Sequence, residues 1–311
     1  MYKIKQNAED FRVAEISNVA LGETGRFSYF RLVKRDYTTE GAIQKLSAYY
    51  NLPRRFFGYA GNKDRKAITE QICSVKGRIR NIALNDLAVE VVGYGDNPVS
   101  LGDLIGNRFE IVVRNVDHKP KPISRVVNFF GKQRFGMKGN NHAVGLEILR
   151  RNFKGAVELV SEDKAEMNAY LKKHPKDYIG ALRLLPKKIL TMYVNAYQSY
   201  VWNECARQLG HSQNFLLPIV GFGTEYKDDK VEEICENMLE KDGICLRDFV
   251  INEMPELSSE GGGRALLADI SELGIGELAE DELNKGMKKV GIGFCLPKGS
   301  YATVVIKELF R

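Results

Sequence analysis

Apolar and polar residues alternate along much of the first 117 positions, as they do in β-strands with one buried face. The clearest runs are RFSYFRLVKR and FEIVVRNV. Elsewhere, TTEGAIQKLSAYY places Ile43, Leu46 and Tyr50 at helical spacing behind a threonine cap and before Pro53. This part of the chain is therefore predicted to consist of strands joined by turns, with one helix.

Longer helical periods begin near residue 151. The segment KILTMYVNAYQSYVWNECARQL repeats apolar residues every three or four positions, and the acidic stretch 228–242 is typical of a solvated helix face. After the glycines at 261–263 the pattern is strand-like again and ends in YATVVIKELF, which is predicted to be a strand. The order predicts an α+β protein: a mixed, largely antiparallel sheet with flanking helices in residues 1–150 and 258–311, and a mostly helical insertion in 151–257.

One helix is predicted just before the insertion, in KPISRVVNFFGKQRFG. Pro122 suits a first helical turn, and Ile123, Val127 and Phe130 follow at helical spacing. This helix would carry Asn128 and Phe130 at its C-terminal end.

The charge is distributed unevenly around a net value of +6. Residues 1–155 contain 27 Lys and Arg against 15 Asp and Glu, whereas the rest contains 19 against 25. The range 119–138 carries six cations and no acid, interleaved with three phenylalanines. Cations that hold phosphates beside aromatic faces that stack on bases are typical of RNA binding. The alternative is a solvated basic helix face with its phenylalanines in the core.

The sequence lacks the patterns of membrane proteins, secreted proteins, metal sites and nucleotide-binding sites. No apolar run reaches the length of a membrane span and the N-terminus lacks a secretory pattern, so a cytoplasmic protein without membrane contact is expected. The five cysteines and the four histidines, the last of them His211, have no metal-ligand or disulfide spacing. Phosphate-binding loops and dinucleotide fingerprints are also missing. We therefore expect neither a metal nor a nucleotide cofactor, and a monomer by default.

The loop GYAGNKDRKAITEQ contains a single carboxylate, Asp64, between Lys63 and Arg65. Asp64 could simply be a turn residue that hydrogen-bonds its own backbone. A functional interpretation is also available, because neighbouring cations favour the ionised form of a carboxylate. Such a group can act as a nucleophile or as a general base.

Five segments in order, between residues 4 and 309, resemble the TruD family of pseudouridine synthases. They are IKQNAEDFRVAEI, YAGNKDRKAITEQ, NFFGKQRFG, NAYQSYVWNECA and FCLPKGSYATVVIKEL. The resemblance covers essentially the whole chain and departs from the family in two places. Arg264 stands alone in GGGRA, where the family usually has two arginines, and the inserted region is compact.

The resemblance implies a pseudouridine-synthase-like sheet and an enzyme that isomerises uridine in transfer RNA, most often at position 13, without a cofactor. It places the catalytic role on Asp64, with the target base flipped into a basic cleft against the inserted domain. The side chains that it implies for substrate binding are Lys5, Phe11, Lys63, Asn128, Phe130, Gln133 and Arg134. Lys5 is expected to be the closest partner of Asp64, and Phe130 to be the aromatic wall for the flipped base.

Two other functions compete with this interpretation. One is an RNA-binding module that performs no isomerisation, although the intact Asp64 speaks against it. The other is a hydrolase that cleaves nucleosides, because glycosidic chemistry also suits a carboxylate.

Overall fold

A computed structural model of the protein describes residues 1–160, 164–210 and 214–311. The chain divides into two compact units, which we call the first unit (Met1–Val126 with Asp269–Arg311) and the second unit (Val127–Ala268). The predicted boundaries lay at residues 150 and 258. Residues 127–150 and 258–268 thus belong to the second unit rather than to the unit that contains the sheet.

The elements are numbered in chain order. The strands are β1 (Phe11–Ser17), β2 (Phe27–Arg35), β3 (Phe57–Tyr59), β4 (Ile68–Lys76), β5 (Ile82–Leu84), β6 (Leu87–Gly95), β7 (Leu104–Val116), β8 (Arg125–Val127), β9 (Leu216–Ile219), β10 (Gly262–Ala265), β11 (Leu267–Asp269), β12 (Ser271–Ile275), β13 (Ala279–Glu280) and β14 (Lys288–Pro297). The α-helices are α1 (Thr39–Tyr50), α2 (Asn141–Leu149), α3 (Phe153–Leu159), α4 (Lys164–Lys173), α5 (Tyr178–Leu182), α6 (Lys187–Leu209), α7 (Asp229–Lys241) and α8 (Ala302–Leu309).

The first unit is built on one large sheet. Its strands follow the order β12-β14-β7-β1-β4-β2-β6-β5, with β13 beside β14 and β3 beside β4. The pairings are antiparallel except for β1 and β4, which run parallel with Arg12 opposite Ile68. The mixed, largely antiparallel sheet with helices confirms the predicted fold class. The parallel pair also brings together the segments that precede β1 and β4, because parallel strands begin at the same edge.

Local sequence explains the best-predicted elements of this unit. The Thr38 side chain accepts a hydrogen bond from the backbone of Gly41 and so caps α1 as expected. Ile43 and Leu46 then pack in the same buried cluster as Phe30 of β2. The predicted strands at β2 and β7 and the predicted helix α1 are all present.

The predicted helix over residues 122–131 is wrong. Residues 125–127 form the strand β8, which pairs with β11, and the backbone amide of Asn128 donates to the carbonyl of Leu266. The β-branched pair Val126 and Val127 favours an extended chain, and the strand partner more than 130 positions away is invisible to local spacing. Phe130 consequently lies in a loop rather than at a helix end.

The predicted closing strand in YATVVIKELF is also wrong, because this segment forms α8. Its buried residues, Ala302, Val305, Ile306 and Leu309, are spaced three or four apart, as in a helix. The last strand in the sequence is β14, which lies between β12 and β7 in the large sheet. The glycines at 262–263 also belong to a strand, β10.

The second unit is arranged around α6, the long helix that its periodicity predicted. This helix packs against α2 and α7 and buries Tyr193, Tyr197 and Trp202. The indole nitrogen of Trp202 donates to the carbonyl of Leu217 in β9 at 3.3 Å, so this large buried side chain keeps its polar atom paired. Among the described helices, none is long and apolar enough to cross a membrane.

Candidate functional site

Asp64 forms an ion pair with Lys5 in the first unit. The Lys5 Nζ lies 2.5 Å from the Asp64 Oδ2, and the two side chains remain 22% and 25% exposed. Lys5 precedes β1 and Asp64 precedes β4, so the parallel pairing of these strands explains the contact between residues 59 positions apart. The carboxylate is therefore oriented by a cation and still accessible from solution.

Lys5 has an unusual backbone conformation. Its φ of 56° lies in the left-handed region, which non-glycine residues seldom adopt and which often marks functional positions. Its ammonium group lies 4.0 Å from the centre of the Phe11 ring. Phe11 is only 2% exposed and packs edge-on against Phe109. Phe11 thus holds the Lys5 ammonium group through a cation–π contact. Its ring is buried and is not exposed for contact with a substrate.

Lys34 fixes the backbone of the loop at Asp64. It lies on the buried face of β2 and is 1% exposed. Its Nζ donates to the carbonyl oxygens of Asp64, at 2.8 Å, and Tyr37, at 2.6 Å. Burial lowers the pKa of the Lys34 ammonium group to about 8, although the negative charge of Asp64 acts in the opposite direction.

Other buried side chains hold the residues just before Asp64. The Lys63 Nζ lies 2.5 Å from the Glu15 Oε2, with side-chain exposures of 6% and 0%. The Thr39 hydroxyl accepts from the backbone amide of Lys63 at 2.9 Å and donates to the Gln71 Oε1 at 2.9 Å. The Gln71 amide then donates to the carbonyl of Gly61 at 3.1 Å. Lys63, expected among the substrate-binding residues, instead points inward and anchors the loop.

The second unit contains a cluster around Phe130, which is 8% exposed. The Arg264 guanidinium carbon lies 4.2 Å from the ring centre, and that of Arg134 lies 5.4 Å away. Trp202 meets the same ring edge-on, with centroids 5.6 Å apart. Phe130 is therefore covered by two guanidinium groups and is not an open aromatic wall in this conformation.

Hydrogen bonds hold this cluster in place. The Asn128 Oδ1 accepts from Arg264 Nη2 at 2.6 Å, and its carbonyl accepts from Arg264 Nε at 2.8 Å. The side-chain amide nitrogen of Asn128 donates to the backbone carbonyl of Ala265 at 3.2 Å. Asn203 contacts the backbone of Phe130 twice, accepting from its amide at 2.9 Å and donating to its carbonyl at 3.1 Å. Asn128 thus orients Arg264, and Asn203 fixes Phe130.

The remaining predicted residues lie in the 3-10 turn Lys132–Phe135. Gln133 is exposed there, and Arg134 is half-buried over Phe130. Sequence reasoning gave no role to Arg264 and did not single out Lys34. One signal for Lys34 was present, because it follows Phe30 and Leu32 at every second position and so falls on the buried face of its strand.

No metal site or disulfide accompanies these clusters in the described residues. No three His, Cys, Asp or Glu side chains among them are grouped as metal ligands would be. The five cysteines are free thiols. His211 lies outside the described residues.

A family model and two similar proteins share one description. A family model described as tRNA pseudouridine synthase D (TruD) matches residues 2–169, 160–215 and 210–309. The tRNA pseudouridine synthase D of Aquifex aeolicus is 30% identical over 384 residues, covering 99% of this chain and 98% of the relative. A Methanosarcina mazei protein named "Probable tRNA pseudouridine synthase D" is 30% identical over 410 residues, covering 99% and 93%.

The fold is similar to a solved structure as well. The crystal structure of a Methanosarcina mazei protein assigned as tRNA pseudouridine synthase D (TruD) superposes with a TM-score of 0.74 at 29% identity. The superposition covers 99% of this chain and 93% of the other. Both Methanosarcina alignments thus span almost the whole length of this chain.

Proposed function

We propose, since this chain belongs to the tRNA pseudouridine synthase D (TruD) family, that it isomerises uridine to pseudouridine at position 13 of transfer RNA with Asp64 as the catalytic carboxylate. The observation that carries the assignment of Asp64 is its geometry. It is accessible, paired with Lys5 at 2.5 Å, and mounted on a loop that buried side chains fix from below.

The reaction is an isomerisation in which the N1–C1′ bond breaks and a C5–C1′ bond forms. The uracil turns while bound, C5 loses a proton and N1 gains one, so no electrons or groups pass to a second substrate. For this reason we propose that the protein needs no cofactor, and we propose that it acts as a monomer. Asp64 would act at the ribose, as nucleophile on C1′ or as base at C2′.

Lys5 has two tasks in this proposal. Its ammonium group favours the ionised form of Asp64, because an opposite charge stabilises a carboxylate. Its hydrogen bond also fixes the direction of the Oδ2 atom. Lys5 itself is held by the Phe11 ring beneath it.

The target base must leave its stack before any carboxylate can reach the sugar, which costs a few kcal/mol. Stacking on a flat protein group can return about 1–3 kcal/mol of that cost. Within the second unit, we propose that the Arg264 guanidinium group, whose central carbon lies 4.2 Å from the centre of the Phe130 ring, stacks on an unpaired base of the RNA. Guanidinium planes stack on unpaired bases much as aromatic rings do. Asn128 would orient the arginine through its two hydrogen bonds.

Exposed cations are proposed to hold the RNA backbone. Arg65 and Lys66 follow Asp64, and Lys132 and Lys138 flank the Phe130 segment. Since each phosphate contact releases counterions, RNA binding should weaken steeply as the salt concentration rises. A binding constant that is insensitive to salt would contradict this part of the proposal.

The test is to incubate an unmodified transfer RNA transcript with the wild type and with Asp64→Asn, and to map pseudouridine. We expect modification at position 13 by the wild type only, with RNA affinity retained in the variant. Asp86→Asn, which changes an exposed carboxylate in the turn between β5 and β6, is the matched control and should modify normally.

The other outcomes discriminate between the competing functions. Full activity of Asp64→Asn would refute the catalytic assignment. RNA binding without pseudouridine in either protein would indicate a binding module, and release of free uracil would indicate a hydrolase. Modification at another position would overturn the assignment of position 13 alone.

A further inference from the structure

The second unit contains a cavity of about 510 Å³. It lies between the segment 132–139, the start of α2 and the C-terminal half of α6. Its volume falls within the range of sites that bind small organic groups. Every residue that lines it belongs to this one unit.

Aromatic rings form one side of the cavity. His142 and Tyr200 are stacked, with centroids 4.9 Å apart and planes at 22°. Phe135 meets His142 edge-on at 5.7 Å. All three side chains line the cavity and are only partly buried. The faces that His142 and Tyr200 turn towards each other are covered, so a ligand could contact only the outer, partly exposed parts of these rings. Aromatic rings in such positions can stack on unpaired nucleobases.

The rim of the cavity is cationic. Lys132 and Lys138 line it and are exposed, and neither forms an ion pair with any residue that the structure describes. The one carboxylate among the described residues of the lining, Glu204, already pairs with Arg207. The uncompensated charge at this cavity is therefore positive, which favours a ligand that carries phosphate.

Two glycines with positive φ lie in the segment 132–139 that lines the cavity. Gly136 and Gly139 have φ values of 79° and 73°, in the left-handed region that glycine adopts without strain. A Cβ atom at Gly136 would lie 2.6 Å from the Oδ1 of Asn141. A larger residue at Gly136 would therefore meet Asn141, and at both glycines it would have to adopt a strained backbone conformation.

Asn203 connects the cavity to the Phe130 cluster. It is part of the lining, and its side-chain amide holds both the amide and the carbonyl of Phe130. A group bound in the cavity could therefore contact Asn203, which in turn contacts Phe130, the residue whose ring lies under Arg264.

We propose that this cavity binds one unpaired nucleotide of the RNA substrate, with its base against His142 and Tyr200 and its phosphate at Lys132 and Lys138. The inference rests on the proposed function only in taking RNA as the substrate. It concerns a nucleotide other than the one that is isomerised. Such a site would select RNAs in which a second base is free to leave its stack.

The direct test is photo-crosslinking with a transfer RNA transcript in which 5-iodouridine or 5-iodocytidine replaces the pyrimidines. The full-length chain is used with Asp64→Asn, so that the RNA is not converted. We expect cross-linked peptides that contain His142 or Tyr200. Cross-links confined to other parts of the chain would overturn the proposal.

An affinity measurement provides a second, independent test. Tyr200→Leu should weaken RNA binding about tenfold by removing a stacking surface. Tyr170→Leu is the matched control, because Tyr170 also packs on a histidine, His174, with centroids 4.5 Å apart, but does not line the cavity. Equal affinities of the two variants would refute the site.

A third measurement does not depend on the folding of a half-buried variant. The exposed double change Lys132→Gln and Lys138→Gln should lower the slope of log affinity against log salt by about two. Lys172→Gln with Lys173→Gln, two exposed lysines of α4, should leave the slope unchanged. If the Lys132→Gln and Lys138→Gln double variant has the same slope as the wild type, these lysines do not contact a phosphate and that part of the proposal is wrong.

The two proposals can fail separately. If the wild type makes no pseudouridine but Tyr200 still cross-links to RNA, the proposed function is wrong and the nucleotide site stands. If pseudouridine forms but neither cross-link nor affinity depends on Tyr200, the nucleotide site is wrong and the proposed function stands.

Discussion

The loop that carries Asp64 and the segment that carries Phe130 are held by different kinds of contact. Buried polar side chains hold the first, including Lys34 and the Glu15–Lys63 pair, so the same bonds serve the fold and the candidate chemistry. In the second, half-buried arginines are layered over an aromatic ring. The comparison indicates that changes beneath Asp64 should lower stability and turnover together, whereas changes above Phe130 should lower RNA affinity and leave the fold intact.

The largest effect is expected from Glu15→Ala. It leaves the Lys63 ammonium group buried without its carboxylate, and breaking a buried pair in this way costs about 3–5 kcal/mol of the free energy of unfolding. Urea denaturation measures this loss. The control is Glu90→Ala, which breaks an exposed pair with Arg31 and should cost less than about 1 kcal/mol. Similar losses in both variants would mean that the buried pair is not a principal support of the loop.

Lys5→Met sharpens the comparison within the first region, because Lys5 contacts Asp64 without being part of the buried support. Turnover should fall about a hundredfold, with the free energy of unfolding changed by less than about 1 kcal/mol. Lys3→Met is the matched control, since Lys3 donates to Asn284 and not to Asp64. If Lys5→Met retains full turnover in a pseudouridine assay, its assigned role is wrong.

Arg264→Ala tests the second region. RNA affinity should fall about tenfold through the loss of the stacking plane, and the midpoint of urea unfolding should change little. Arg264→Lys keeps the charge but not the planar group, so most of the loss should remain. Arg183→Ala, which removes an exposed arginine paired with Glu256, should bind normally. Full recovery by the lysine variant would show that charge alone matters.

The smallest effect is the pH dependence that Lys34 adds to stability. The pKa of Lys34 is lowered to about 8 in the folded protein, against roughly 10.4 for an unfolded lysine. Between these values the unfolded chain binds more protons, so a rise in pH favours the folded state. The stability of the wild type relative to Lys34→Met should therefore increase, by about 1 kcal/mol between pH 8 and pH 9. A difference that stays constant or falls in this range would contradict the lowered pKa of Lys34.

Sequence reasoning recovered the parts of the candidate site that depend on neighbouring residues. The position of Asp64 in its loop and its expected partner Lys5 both followed from sequence and resemblance, and the structure brings the two together. The direction of Lys63 did not follow, because a lysine beside an exposed loop residue can point either way. Glu15, 48 positions earlier, decides it by offering a buried carboxylate.

The sequence by itself determined the elements whose signals are local: the Thr38 cap and apolar stripe of α1, the long period of α6 and the alternation of β2. Only the tertiary structure decided residues 125–127 and 302–309, where the spacing of apolar residues fitted more than one conformation. The first segment is a strand because β11 pairs with it, and the second is a helix whose buried residues recur at helical spacing. Such choices depend on distant hydrogen-bond partners and packing surfaces, which a local pattern does not contain.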